Sequence, residues 1–101
     1  MNELLLNEIL NDLKSSLRIT WIEEDEDLKK IINRGIDYLE ELTGTTLDFS
    51  LENQSKTLLI ERCRYVYHNV VDEFEKNFQH ELSRLILREA VKAGESIETS
   101  S

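Results

Sequence analysis

Residues 28–44 read Leu28-Lys29-Lys30-Ile31-Ile32-Asn33-Arg34-Gly35-Ile36-Asp37-Tyr38-Leu39-Glu40-Glu41-Leu42-Thr43-Gly44. Leu28, Ile31, Ile32, Leu39 and Leu42 recur at helical spacing with charged residues between them, the pattern of an amphipathic α-helix with one buried stripe. Gly35 lies on that stripe. A glycine inside a helix costs about 1 kcal/mol relative to alanine, so its presence predicts the close approach of another helix there. Gly44, just after Thr43, reads as the left-handed residue that ends the helix. Upstream, Thr20 and Glu23 form a capping-box pattern that places the helix start near Thr20. Glu23, Glu24, Asp25, Glu26 and Asp27 crowd the first turns, where the helix dipole favours negative charge. Trp21, at the entry to this helix, is expected to plug the core.

Working outward, residues 2–17 form a first helix, with Leu5, Ile9, Leu13 and Leu17 four apart and Leu6 and Leu10 widening the stripe. Residues 45–55 alternate apolar and polar at Leu47, Phe49 and Leu51, an extended period. With no second strand to pair with, this segment is expected to be a loop pinned by those side chains, or an arm offered to a neighbour. Ser55 is the expected cap of a third helix over 56–78, whose stripe comprises Leu59, Cys63, Val66, Tyr67, Val70, Val71, Phe74 and Phe78. A fourth helix over 80–92 carries Leu82, Leu85, Ile86, Ala90 and Val91, and residues 93–101 read as a flexible tail. The expected fold is therefore all-α: a bundle of about four helices, with a long central helix and an extended loop between helices two and three. One domain spans residues 1–92, with its core at Trp21, Leu28, Ile32, Gly35, Leu39, Cys63, Val66, Val70, Phe74 and Phe78.

Composition agrees with this reading. The chain has 101 residues, no proline and three glycines, so little interrupts its helices. Hydrophobic residues at 40% and charged residues at 33% suit a globular domain, and 101 residues suffice for one. The net charge is −9, and residues 1–55 hold thirteen acids and five bases against eight and seven in residues 56–101. So acidic a first half argues against phosphate binding, because there is no basic patch to release counterions. The single cysteine, Cys63, cannot form an internal disulfide and fits a reducing compartment. No strictly apolar run exceeds three residues, as in Leu4-Leu5-Leu6, far short of a membrane span, and no basic leader opens the sequence, so neither an anchor nor a secretory signal is expected.

The motifs of catalysis are missing. There is no Gly-rich phosphate loop, no paired-cysteine metal spacing and no H-E-x-x-H. His68 and His80 stand twelve apart, which is not a ligand spacing within one helix. The acids at 23–27 lack the turning glycine of a calcium loop and read as a solvated helix start. Cys63 lies on an apolar stripe and reads as a buried structural thiol. Neither metal nor cofactor is expected, and no catalytic residue is assigned. Helix three is more informative: Arg62, Arg64, Tyr65, Tyr67 and His68 surround its stripe on nearly every side. Such a helix either meets its own core on one face and a neighbouring chain on another, or is a central helix whose amphipathic side chains reach outward to water.

A resemblance is carried by two runs of residues. The first is Leu17-Arg18-Ile19-Thr20-Trp21 followed by acids, then Leu28, Ile31, Ile32, Gly35, Tyr38 and Leu39, then Gly44 and the Leu47-Asp48-Phe49 loop. The second is Arg62-Cys63-Arg64-Tyr65-Val66-Tyr67-His68-Asn69, with Phe74-Glu75 and Asn77-Phe78-Gln79-His80-Glu81-Leu82. Their order and spacing over residues 10–92 resemble the head–tail connector (adaptor) proteins of long-tailed double-stranded DNA phages and prophages; residues 1–9 extend beyond the resemblance. It implies a non-enzymatic α-helical subunit of the virion, assembled in the bacterial host cytoplasm. About twelve copies would form a ring under the portal protein, extend the DNA channel and offer a platform for a head-completion or tail protein. DNA would pass through without specific binding, and no membrane would be involved. On this reading Arg62, Arg64, Tyr65 and His68, with Leu47 and Phe49 of the loop, are the expected subunit contacts. The alternative, from a different class, is an acidic helical regulator, an anti-repressor or DNA mimic, that binds one basic partner.

Overall fold

The computed structural model describes residues 2–100, with side chains for residues 2–94. Among the described residues five α-helices follow one another: α1 (Glu3–Leu17), α2 (Asp25–Thr43), α3 (Gln54–Tyr67), α4 (Phe74–Asn77) and α5 (Gln79–Ser100), with a 3₁₀ turn at Val71–Glu73. The chain is all-helical, and among the described residues there is no strand.

Local chemistry sets each boundary. Asn2 caps α1 by accepting the Leu5 N–H at 2.7 Å. Arg18 ends α1 in the left-handed region at φ 60°, and the Ile19 N–H returns to the Lys14 carbonyl at 2.8 Å while Ile19 itself is buried. α2 begins at Asp25, later than expected from Thr20 and Glu23, and no side chain caps it. Its first turn carries Asp25, Glu26 and Asp27, so the dipole acts where the capping box was expected to. Gly44 ends α2 at φ 71°, as its position after Thr43 predicts.

Asn53, not Ser55, caps α3, its side-chain oxygen accepting the Lys56 N–H at 3.0 Å. α3 stops at Tyr67, eleven residues before the expected end. Asn69 adopts φ 61°, and the Val70 N–H returns to the Tyr65 carbonyl at 2.9 Å. Asparagine tolerates this conformation because its short side chain bonds locally, so His68-Asn69-Val70 stops a helix with neither glycine nor proline. Over residues 93–100, read as a tail, the backbone continues α5 as far as Ser100, and Ser101 lies outside the described residues.

α2 and α3 pack antiparallel as the central hairpin. A Cβ built at Gly35 would lie 2.7 Å from Leu59 Cδ1 and 3.6 Å from Cys63 Sγ, so the predicted close approach is with α3. Leu28, Ile32 and Leu39 of α2 meet Leu58, Leu59 and Cys63 of α3, and α1 covers both through Ile9, Leu10 and Leu13. Each such aliphatic side chain contributes about 1.5–3 kcal/mol by leaving water. Phe74 of α4 is also buried, whereas Val66, Val70 and Phe78, expected in the core, are half-buried. Trp21 is a correction: it is 46% exposed, because the turn before α2 lies outside the hairpin and the indole reaches only Glu24. Ile19, two residues earlier, takes the buried place. Leu47 and Phe49 close the far end of the hairpin, both buried, with the Leu47 N–H held by Glu40 Oε2 at 2.8 Å. The loop is therefore pinned to its own core and is not an arm.

α5 returns along the hairpin only with its first turns, where Leu82 and Leu85 are buried. Gln54 Nε2 donates to the Glu81 carbonyl at 3.4 Å, tying the start of α5 to the start of α3. From Ile86 to Ala93 every residue of α5 except Glu89 is exposed, and the molecule is elongated, 52 × 31 × 19 Å. No helix among the described residues is long and apolar enough to cross a membrane.

Candidate functional site

The side chains expected to mark a subunit contact on α3 are engaged within the chain. The Arg62 guanidinium lies 4.5 Å from the centre of the Tyr38 ring, a cation–π contact between α3 and α2. Tyr38 donates its hydroxyl to Glu75 Oε1 at 2.7 Å, which ties α2 to α4. Burial, and then the Glu75 carboxylate, push the Tyr38 phenol up to about 12, with Arg62 pulling the other way. Tyr65 packs edge-on against Phe74 and Phe78, with ring centres 5.8 and 5.7 Å away, and its hydroxyl accepts from Asn77 Nδ2 at 2.9 Å. Tyr65 therefore holds α4 and Phe78, the residue before α5, onto α3. Arg64 donates to Glu61 at 3.0 Å, while its Nε is buried without a partner. Of the four α3 residues only His68 is fully on the surface, at the end of the helix with its ring beside Tyr67. Leu47 and Phe49 are buried in the chain's own core, and Tyr65 is half-buried against Phe74 and Phe78.

Cys63 is fully buried, and burial pushes its thiol up to about 12, so it is held as a neutral thiol. Lys56, absent from the expected core, is 7% exposed. Its ammonium lies 2.6 Å from Asp12 and 2.5 Å from Glu52, and those carboxylates raise its pKa. A buried charge needs such pairing, and the clamp fastens α1 and the preceding loop to the start of α3. Sequence spacing could show the Glu52–Lys56 pair, four apart, but not Asp12. Among the described residues no three of His, Cys, Asp and Glu converge as a metal-holding group.

Among the described residues, apart from separate exposures such as Leu4 and Leu51, two groups of exposed apolar side chains lie toward opposite ends of α3. The first is the corner before α2. Ile22 is 74% exposed beside Trp21, and Glu23 and Asp27 are exposed with them. Glu24 anchors this corner, accepting from Trp21 Nε1 at 2.6 Å and from the Tyr67 hydroxyl at 3.1 Å. Partial burial and this carboxylate raise the Tyr67 phenol above its ordinary value. Because Tyr67 is the last residue of α3, the corner sits at that helix's C-terminal end. Asp25 is turned inward to Lys14 at 2.7 Å.

The second surface is the outer stripe of α5. Arg84, Leu87, Arg88, Val91 and Lys92 line a shallow, mostly apolar depression, with Leu87 66% and Val91 51% exposed. They recur at three- and four-residue spacing and so share one side of the helix. The Gln54–Glu81 contact places the start of α5 at the N-terminal end of α3. Sequence spacing places Val91 among the apolar positions of the fourth helix, but spacing does not tell whether anything in the same chain covers such a stripe. No family model matches the chain, and no curated protein or solved structure does either.

Proposed function

We propose that the chain is the subunit of a head–tail connector, a ring beneath a phage portal that extends the DNA channel and offers a platform to a head-completion or tail protein. The observation that carries the reading is the pair of exposed apolar surfaces at opposite ends of the hairpin, Trp21 and Ile22 at one and Leu87 and Val91 at the other. A subunit held between neighbours needs two different contact faces, and exposed apolar groups rimmed by charge are what such faces carry. The sequence resemblance over residues 10–92 supplies the kind of assembly. The acidic first half suits a channel wall past which a phosphate backbone slides, because a basic wall would hold it.

The test is capture of the chain by purified portal protein, followed by electron microscopy of the complex. The expected result is a ring stacked coaxially on the portal. Failure to bind portal, with the chain folded, removes the reading. The strong acidity of residues 1–55 favours a second reading, an acidic regulator of one basic partner. That reading predicts a stoichiometric complex with a repressor-like basic protein, and no ring.

A further inference from the structure

We infer that the outer stripe of α5 in one copy docks on the Trp21–Asp27 corner of a second copy, head to tail. Charge on the two surfaces selects the occupant. Among the described residues Arg84 and Arg88 have no carboxylate within ion-pair distance, and Lys92 is shared with Glu89 at 3.1 Å. On the corner, Glu23 and Asp27 likewise lack a basic partner, and Glu26 holds Lys29 only at 3.5 Å. Each surface has an apolar centre, Leu87 and Val91 against Ile22 and Trp21, flanked by charge of opposite sign. Like-with-like contacts are disfavoured: stripe on stripe sets Arg84 and Arg88 against bases, and corner on corner sets acids against acids. Only the unlike pairing is complementary, and it is heterologous.

The fold permits both contacts at once. Tyr67 anchors the corner at the C-terminal end of α3, and Gln54 anchors the start of α5 at the N-terminal end. Fourteen residues of α-helix separate these ends by roughly 20 Å. A chain therefore receives one neighbour on its corner while offering its stripe to another. The inference deepens the reading of the chain as an assembly subunit and rests on it for the closing of the ring; the pairing itself needs no portal.

The test is a charge swap on the full chain, read by light-scattering mass against protein concentration, with circular dichroism confirming the fold. Arg84→Glu with Arg88→Glu, or Glu23→Lys with Asp27→Lys, is expected to weaken self-association about ten-fold or more. Mixing the two variants is expected to restore it, as is combining all four changes in one chain. In parallel, an Ile22→Cys chain mixed with a Leu87→Cys chain under mild oxidant is expected to give mainly the mixed disulfide dimer; buried Cys63 stays out of the exchange. The cross-link reads the pairing even where wild-type association is weak. The pairing is overturned if both folded variants associate like wild type, if mixing restores nothing, or if each cysteine chain links chiefly to itself. If the chain pairs in this way but portal does not capture it, the connector reading fails and the pairing stands. If portal captures the chain while swap and cross-link both fail, the reverse holds.

Discussion

Gly35 is where one missing atom decides how close two helices come. The Cβ of an alanine there would stand 2.7 Å from Leu59 Cδ1, closer than real contacts allow, and Leu59 is fully buried and cannot swing aside into water. Alanine has the better helix propensity by about 1 kcal/mol, but overpacking a core costs about 1–3 kcal/mol. Gly35→Ala is therefore expected to lower stability in urea unfolding; a stabilised variant would mean the hairpin can part at no cost. At Tyr38 the consequence is a pH dependence. Its folded phenol titrates near 12, mainly through burial and then through Glu75, against about 10 in an unfolded chain. The folded state holds the proton more tightly, so this group adds stability below about pH 10 and loses that contribution as pH rises through 12. In a chain with Tyr65 and Tyr67 as phenylalanine, phenolate absorbance is expected to show Tyr38 titrating lower in Glu75→Gln and higher in Arg62→Met. An Arg62→Met titration below that of the parent would mean the guanidinium does not lie over the ring.

At the scale of elements, apolar spacing foretold α1 and the body of α2 with its Gly44 stop, and the want of a partner strand foretold a loop within 45–55. These depend on local periods and on residues with a strong conformational bias. The end of α3 depends on Asn69 entering the left-handed region, a choice open to asparagine but not demanded by it, so the pattern from Leu59 to Phe78 reads as one helix when it is two, α3 and α4, separated by a turn at Asn69 and a 3₁₀ turn. Trp21 misleads for a related reason, since bulk predicts burial only where an element brings a partner. Asn69→Gly is expected to keep or slightly raise stability. Asn69→Val is expected to lose about 1–2 kcal/mol, because a β-branched residue is strained at that φ. Equal midpoints in urea for the two variants would locate the helix stop elsewhere, in the packing of Phe74 and Tyr65. The uncommitted stripe of α5 was legible as apolar spacing and not as a surface, because coverage is a property of the whole chain.

For the whole molecule, the net charge of −9 sets long-range repulsion between copies against the local attraction of stripe and corner. The two respond differently to salt. At ionic strength near 0.01 M the screening length is about 30 Å, more than half the 52 Å long axis, so two acidic chains repel before their complementary surfaces meet. Near 0.1 M it falls to about 10 Å; the diffuse repulsion is then largely screened, while charges brought into contact around Leu87, Val91 and Ile22 still attract. Near 1 M it is about 3 Å, and only the apolar part of the contact is left. Self-association measured by sedimentation velocity is therefore expected to rise from low to moderate salt and to fall again at high salt. Neutralising Arg84 and Arg88 to glutamine removes the attraction and makes each copy more acidic. That variant is expected to associate more strongly with each addition of salt, with no maximum. A wild-type chain with the same monotonic rise would show that apolar burial alone drives its association, and would leave the acidic corner with no part in choosing the neighbour.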